Sequence, residues 1–124
     1  MSRTRPRTII FVYGTLKRGF AGHAPLRGST FLKTAQTTPG YTLYDSGEWP
    51  AMVARGDGSV SGELFEIPFL TLKALDTYEG HPDLFRRTTI KLADHRAEAW
   101  LYAREIPPQW PVIPEGCWQG PRSP

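Results

Sequence analysis

A chain of 124 residues with 40% hydrophobic and 12% aromatic content is long enough for one domain with one core, and its composition is globular rather than disordered. Twelve glycines and twelve prolines argue against long helices and for short strands joined by turns, and no run approaches the roughly 18 apolar residues of a membrane span. The net charge of +3 is modest and scattered among acidic residues, which speaks against the basic stripe of a nucleic-acid binder.

Residues 1–7 form a basic arm with Arg3, Arg5 and Arg7, expected to be mobile like the tail at 119–124. The apolar run after the arm is too short for a secretory h-region, so a cytoplasmic protein is expected. Ile9–Tyr13 is continuous, apolar and β-branched or aromatic, the pattern of a strand buried on both faces. It stops at Gly14, and Gly19 follows, with Thr15, Leu16, Lys17 and Arg18 between them. A glycine after a strand can be simply a turn. It can also admit positive φ and close approach of a ligand, with converging N–H groups and the charges of Lys17 and Arg18 making an anion-binding concavity. Gly14 and Gly19 have P-loop separation, but Phe20 and Ala21 stand where lysine and Ser/Thr are required. A dinucleotide-binding G-x-G-x-x-G unit is also absent.

Ala21–Gly28 has room for one helical turn. Strands are predicted at Phe31–Thr38, Tyr41–Tyr44, Ala51–Arg55 and Val60–Ile67. Gly56-Asp57-Gly58 is read as the hairpin turn between the last two. Such a succession predicts a meander or small barrel. One helix follows, with Pro68 at its first position, Phe69, Leu72 and Leu75 at helical spacing, and Gly80 and Pro82 ending it. On that helix Glu79 falls within roughly 40° of Leu72 and Leu75, on the apolar stripe, with Asp76 a little farther round. Desolvation and the negative end of the helix dipole both raise the pKa of a carboxylate so placed, toward the range useful for proton transfer near neutrality. Two other fates remain open to it: rotation into solvent, or a pair with Arg86 or Arg87.

Phe85–Leu92 and Ala97–Ala103 alternate and predict a hairpin about Asp94-His95-Arg96. The proline-rich tail from Glu105 is expected to be pinned by Trp110 and Trp118. His23, His81, His95 and the single Cys117 lack metal-ligand spacing, no internal disulfide is possible, and no G-x-S-x-G elbow exists.

Tyr13-Gly14-Thr15-Leu16 after an apolar strand resembles the signature loop of the γ-glutamylcyclotransferase-like (AIG2-like) family. Pro39–Asp45 with Trp49-Pro50-Ala51, Val60–Phe65, Leu75-Asp76-Thr77-Tyr78-Glu79-Gly80, Ala97–Tyr102 and Gly116-Cys117-Trp118 resemble its later segments in order, over roughly residues 8–118. The resemblance implies an α+β fold, a small mixed β-barrel with short flanking helices, as one domain. It implies cyclisation of a γ-glutamyl group to 5-oxoproline with release of an amine, and no cofactor or metal. Glu79 would be the general acid/base. The backbone of Tyr13, Gly14, Thr15 and Leu16 would hold the glutamyl end, and Trp49, Pro50 and Phe85 would complete the substrate site. Phe85 stands where many members have tyrosine, and Trp49 where a smaller aromatic is usual. The competing expectation is a non-catalytic module on the same fold that binds small carboxylates or a partner.

Overall fold

The computed structural model describes residues 7–120; Arg3 and Arg5 of the expected arm, and the end of the expected mobile tail at 121–124, lie outside them. Arg7 belongs to a strand rather than to the arm. The strands are β1 (Arg7–Val12), β2 (Thr30–Gln36), β3 (Tyr41–Asp45), β4 (Pro50–Gly58), β5 (Ser61–Pro68), β6 (Phe85–Lys91) and β7 (Arg96–Tyr102). One helix, α1, spans Phe69–Tyr78, and a short 3-10 helix spans Ala21–Leu26.

Five strands form a mixed sheet in the order β2-β5-β1-β7-β6, and β3-β4 form a separate antiparallel ribbon. At the centre β1 pairs antiparallel with β5 and parallel with β7. Ile10, Phe11 and Val12 are all buried, as a strand covered on both faces requires. Phe11 packs on one side with Leu43 and Met52 of the ribbon and Trp118 of the tail. Ile10 and Val12 pack on the other, with Leu72 and Leu75 of α1 and Leu26 of the 3-10 helix. The same alternation sends Ala97, Ala99 and Leu101 of β7 to the ribbon side and Trp100 to the helix side.

The α+β class and mixed sheet agree with expectation, but the sheet is not closed into a barrel. Among the described residues its edges β2 and β6 do not pair along their length: they are joined at one end by the bridge Thr37–Leu92 and the Thr38 N–H, which donates to Lys91 O. The expected hairpin at Gly56-Asp57-Gly58 is also overturned. β4 runs through these residues and pairs with β3, not β5. Between the pairs Thr42–Val53 and Tyr41–Gly58 the ladder shifts, so the intervening residues bulge out. The chain then changes sheet, and β5 inserts between β2 and β1, which removes the meander. The glycines mark a bulge and crossover: Gly56 takes φ +90°, and β5 finds its partners in β1 and β2 instead. The β6–β7 hairpin forms as read, with register Phe85–Tyr102 through Lys91–Arg96.

Pro68 is the last residue of β5 and the N-cap of α1, in extended conformation, rather than the first helical residue. Phe69 is 52% exposed, so the buried stripe of α1 is Leu72, Leu75 and Asp76. The helix ends as predicted: Gly80 has φ +69°, its N–H donates to Thr77 O, and the His81 N–H donates to Asp76 O. This pair of bonds satisfies the last carbonyls and fixes where the chain leaves the helix. The tail is held along β3, where the Asp45 N–H donates to Pro111 O and the Ile113 N–H to Leu43 O, with Trp118 buried behind.

Gly62 on β5 has no room for a side chain: a Cβ there would strike the carbonyl of Val12 and the ring of Phe11. Gly62→Ala is expected to cost about 1–3 kcal/mol, read as a lower midpoint in urea unfolding. An unchanged midpoint would show that the β1–β5 contact can relax.

Candidate active site

β1 delivers the chain from the core into the loop at Tyr13–Leu16. The Lys17 N–H donates to Gly14 O at 3.1 Å and the Phe20 N–H to Lys17 O at 3.2 Å, so consecutive turns fold the loop back. Among the described residues the N–H groups of Gly14, Thr15 and Leu16 donate to no protein acceptor. Gly14 is required for a different reason from the one its sequence position suggests. Its φ is not positive; instead a Cβ there would lie 2.9 Å from Pro50 Cγ and 3.0 Å from Cδ. The glycine permits the turn before β4 to press against the loop.

Together these segments enclose a cavity of about 240 Å³. Phe11 and Val12 of β1 and Tyr13, Gly14, Thr15 and Leu16 of the loop form one wall, Trp49 comes from the turn before β4, and Pro50 is the first residue of β4. Tyr78 and Glu79 come from the end of α1, Leu84 and Phe85 from the start of β6, and Trp100 from β7. Every residue expected in the site from the resemblance thus borders one cavity, although 63 positions separate Glu79 from Leu16 in the chain.

Glu79 is half-buried at the C-cap of α1, where its N–H donates to Leu75 O at 2.9 Å. Burial pushes its carboxyl up from 4.5 to about 7. Among the described residues no ion pair forms to it. Arg87 pairs instead with Asp76 (Nε–Oδ1 3.0 Å) and Glu98 (Nη1–Oε1 3.1 Å), so the structural pair left open for Glu79 is not made.

Asp76, one turn earlier, has the opposite character. Burial raises its pKa, but hydrogen bonds from Arg87 and Trp100 and the charges of Arg87 and His81 outweigh that and hold it below the ordinary carboxylate value. Its Oδ1 accepts from Trp100 Nε1 at 2.9 Å as well as from Arg87. The Trp100 carbonyl in turn accepts from the Tyr13 hydroxyl at 2.6 Å. Burial first, and then the charge of Glu79, keep that phenol protonated.

The two loop cations do not serve the cavity. Lys17 is buried, with Nζ donating to Trp118 O at 2.8 Å and lying 5.0 Å from the Phe20 ring centroid. The Arg18 main-chain N–H and Nε both donate to Glu63, and its guanidinium stacks 3.5 Å from the Phe31 ring centroid. Any anion held at the loop would therefore meet main-chain donors. Phe11, Val12, Tyr78, Leu84 and Trp100 also border the cavity and were not expected there. The alternation of β7 puts Trp100 on the face opposite Ala99 and Leu101, and adjacency to Glu79 marks Tyr78, but neither signal names the partner across the cavity. Among the described residues no cluster of His, Cys, Asp or Glu could hold a metal ion, and no helix is long and apolar enough to cross a membrane.

A mixed sheet with a carboxylate and a free-amide loop at one cavity defines a class, and comparison with known proteins supplies the family. Residues 10–120 match the family described as "Gamma-glutamyl cyclotransferase, AIG2-like", and the chain belongs to it. It is 40% identical over 94 residues to a Vibrio cholerae protein provisionally named a γ-glutamylcyclotransferase, covering 76% of this chain and 79% of that one. It is 30% identical over 130 residues to the γ-glutamylaminecyclotransferase of Homo sapiens, covering 86% and 85%. The crystal structure of an AIG2-like protein from Mus musculus superposes with a TM-score of 0.72 at 26% identity, over 95% of this chain and 98% of that one.

The raised pKa of Glu79 links the cavity to stability. The folded protein favours the protonated carboxyl, so Glu79 costs nothing below its unfolded pKa near 4.5 and its penalty grows until pH passes about 7. The melting temperature of Glu79→Gln is expected to match wild type at acidic pH and to exceed it at pH 8. A melting temperature lower than wild type at pH 8 would indicate a favourable partner for the ionised form.

Proposed function

We propose that this chain is a γ-glutamyl cyclotransferase that converts a γ-glutamyl amide to 5-oxoproline and a free amine. The observation that carries this reading is Glu79: a carboxyl with a pKa of about 7 in an apolar cavity that also holds unused main-chain donors at Gly14–Leu16. The names of the relatives agree with it.

The chemistry asks little of the protein. Ionised Glu79 takes a proton from the substrate's α-ammonium group. The freed amine attacks the γ-carbonyl carbon, forming the ring C–N bond. The tetrahedral intermediate then expels the leaving amine as the original amide C–N bond breaks; Glu79 returns the proton to that nitrogen, and the ring nitrogen gives up its second proton to the released amine or to solvent as the lactam forms. With a pKa near ambient pH, one carboxyl performs both transfers. The N–H groups of Gly14, Thr15 and Leu16 bind the substrate's carboxylate or the oxyanion. Ring closure is intramolecular, so holding the glutamyl chain folded between loop and Glu79 supplies much of the acceleration. Neither metal nor organic cofactor enters such a step, and a small-molecule substrate of this kind suits a cytoplasmic enzyme.

Glu79→Gln keeps size and hydrogen bonding but cannot exchange the proton, and turnover is expected to fall about 10²-fold or more. Glu79→Asp is expected to be impaired as well, because the shorter reach misplaces the proton by about an ångström. Release of 5-oxoproline from γ-glutamyl amides, measured on pure wild type and variants, is the test. Full activity in Glu79→Gln would remove Glu79 from the mechanism, and no turnover by wild type of any γ-glutamyl amide, peptide or amino acid would leave a binding module.

A further inference from the structure

Part of the cavity wall belongs to a cluster of aromatic rings in edge and tilted contact, contributed by four separate segments. Trp49 lies in edge contact with Phe85 (centroids 5.4 Å) and Trp110 (5.4 Å) and tilted against Tyr102 (5.8 Å). Tyr102 also meets Phe85 at 5.5 Å and Trp110 at 5.3 Å. Of these four rings, Trp49 and Phe85 border the cavity, and Tyr102 and Trp110 stand behind them. Trp49 is held before any ligand arrives. Its N–H donates to Ser46 Oγ at 3.1 Å, and its carbonyl accepts from the Ser46 hydroxyl at 2.7 Å and the Ser46 N–H at 3.1 Å. Across from this wall Tyr78 is 56% exposed while bordering the same cavity. The site thus presents fixed, flat apolar surface that remains wet until something covers it.

We infer that Trp49 is the specificity-determining residue of the site, selecting γ-glutamyl amides whose leaving amine carries a flat apolar body, an arylalkylamine, over those that release an α-amino acid. The inference rests on the cyclotransferase reading above. The ring faces of Trp49 and Phe85 carry the negative lobes of their quadrupoles, which favour a hydrocarbon or the edge of another ring and repel a carboxylate. Glu79 contributes negative charge to the same space. Lys17 is engaged on Trp118 O, Arg18 on Glu63, and Arg87 on Asp76 and Glu98, while Arg86, exposed beside Phe85, is not among the residues that border the cavity. The carboxylate of an amino-acid leaving group would be desolvated against aromatic rings beside a second carboxylate, whereas a benzyl group would displace only loosely held water.

The test uses the purified full chain with γ-glutamyl benzylamide, γ-glutamyl ethylamide and γ-glutamylalanine. Wild-type kcat/KM is expected to favour the benzylamide over each of the other two by about tenfold or more. In Trp49→Leu the benzylamide-to-ethylamide ratio is expected to collapse to about twofold, and in the milder Trp49→Phe to fall in between. A wild-type ratio near one, a preference for γ-glutamylalanine, or a ratio that survives in Trp49→Leu and Trp49→Phe would overturn the inference. Binding separates its failure from that of the catalytic reading. Titration of Glu79→Gln with the same three compounds, followed by tryptophan fluorescence, is expected to rank them in the same order without turnover. Equal affinities would overturn the inference even in an active enzyme, and the expected ranking in a chain that turns over none of them would sink the catalytic reading alone.

Discussion

The contact between Gly14 and Pro50 is the constraint on which the site depends. β1 is fixed by two cores, one under the ribbon and one under α1, so its end has almost no freedom. The ribbon is a separate sheet, and its turn must still reach the loop that follows β1. Only a residue without a Cβ lets Pro50 close to van der Waals distance there. Once Pro50 is seated, Trp49 is placed over the start of β6 and the end of β7, and the cavity has its aromatic wall. A strand that belongs to the core thus sets the position of a turn that belongs to the surface.

Two carboxylates three positions apart on α1 show how packing divides roles. Asp76 and Glu79 share the apolar side of the helix end, yet one is held ionised and the other is pushed toward neutrality. The difference lies in β6 and β7. Arg87 and the Trp100 indole converge on Asp76, and the same arginine reaches Glu98, so its charge is spent one helical turn away from Glu79. Asp76 therefore anchors the Trp100 indole, and the main-chain carbonyl of the same residue accepts from the buried Tyr13 hydroxyl. Pairs of carboxyls whose surroundings drive their pKa values apart are the pattern that acid–base sites require. Here burial without a partner raises Glu79, while Arg87, Trp100 and His81 together hold Asp76 down.

Much of this was legible in the residues and some of it was not, for identifiable reasons. The apolar run of β1, the stop at Gly80 and the β6–β7 hairpin are local patterns, and each formed as read. The helical wheel placed Glu79 on the inner side because Leu72 and Leu75 declare that side. The resemblance brought Tyr13, Gly14, Thr15, Leu16, Trp49, Pro50 and Phe85 to one place. What failed was partner choice. Gly56-Asp57-Gly58 looks like a hairpin turn, and nothing in its sequence says that β4 is already paired with β3. Lys17 and Arg18 look like loop charge, but the carbonyl of Trp118 and the carboxylate of Glu63 that claim them come from 101 and 45 positions away. Gly14 was legible as necessary, while its reason, the ring of Pro50, was not.

The division of labour within the cavity has a physical basis. In the proposed reaction, binding the glutamyl end through main-chain N–H groups would tie recognition to the path of the backbone, which β1 and the consecutive turns at Gly14 and Lys17 enforce. Side-chain substitution in the loop leaves such donors in place as long as Gly14 keeps its contact with Pro50. Trp49 and Phe85, backed by Tyr102 and Trp110, form an aromatic wall that supplies no polar group to the proposed chemistry. Under the proposed reading, a change of ring there would alter the shape and polarity met by the leaving amine while the donors and Glu79 stay where the sheet and α1 put them. A protein organised this way can hold one reaction constant and vary its partner amine, because the two tasks draw on separate parts of the fold.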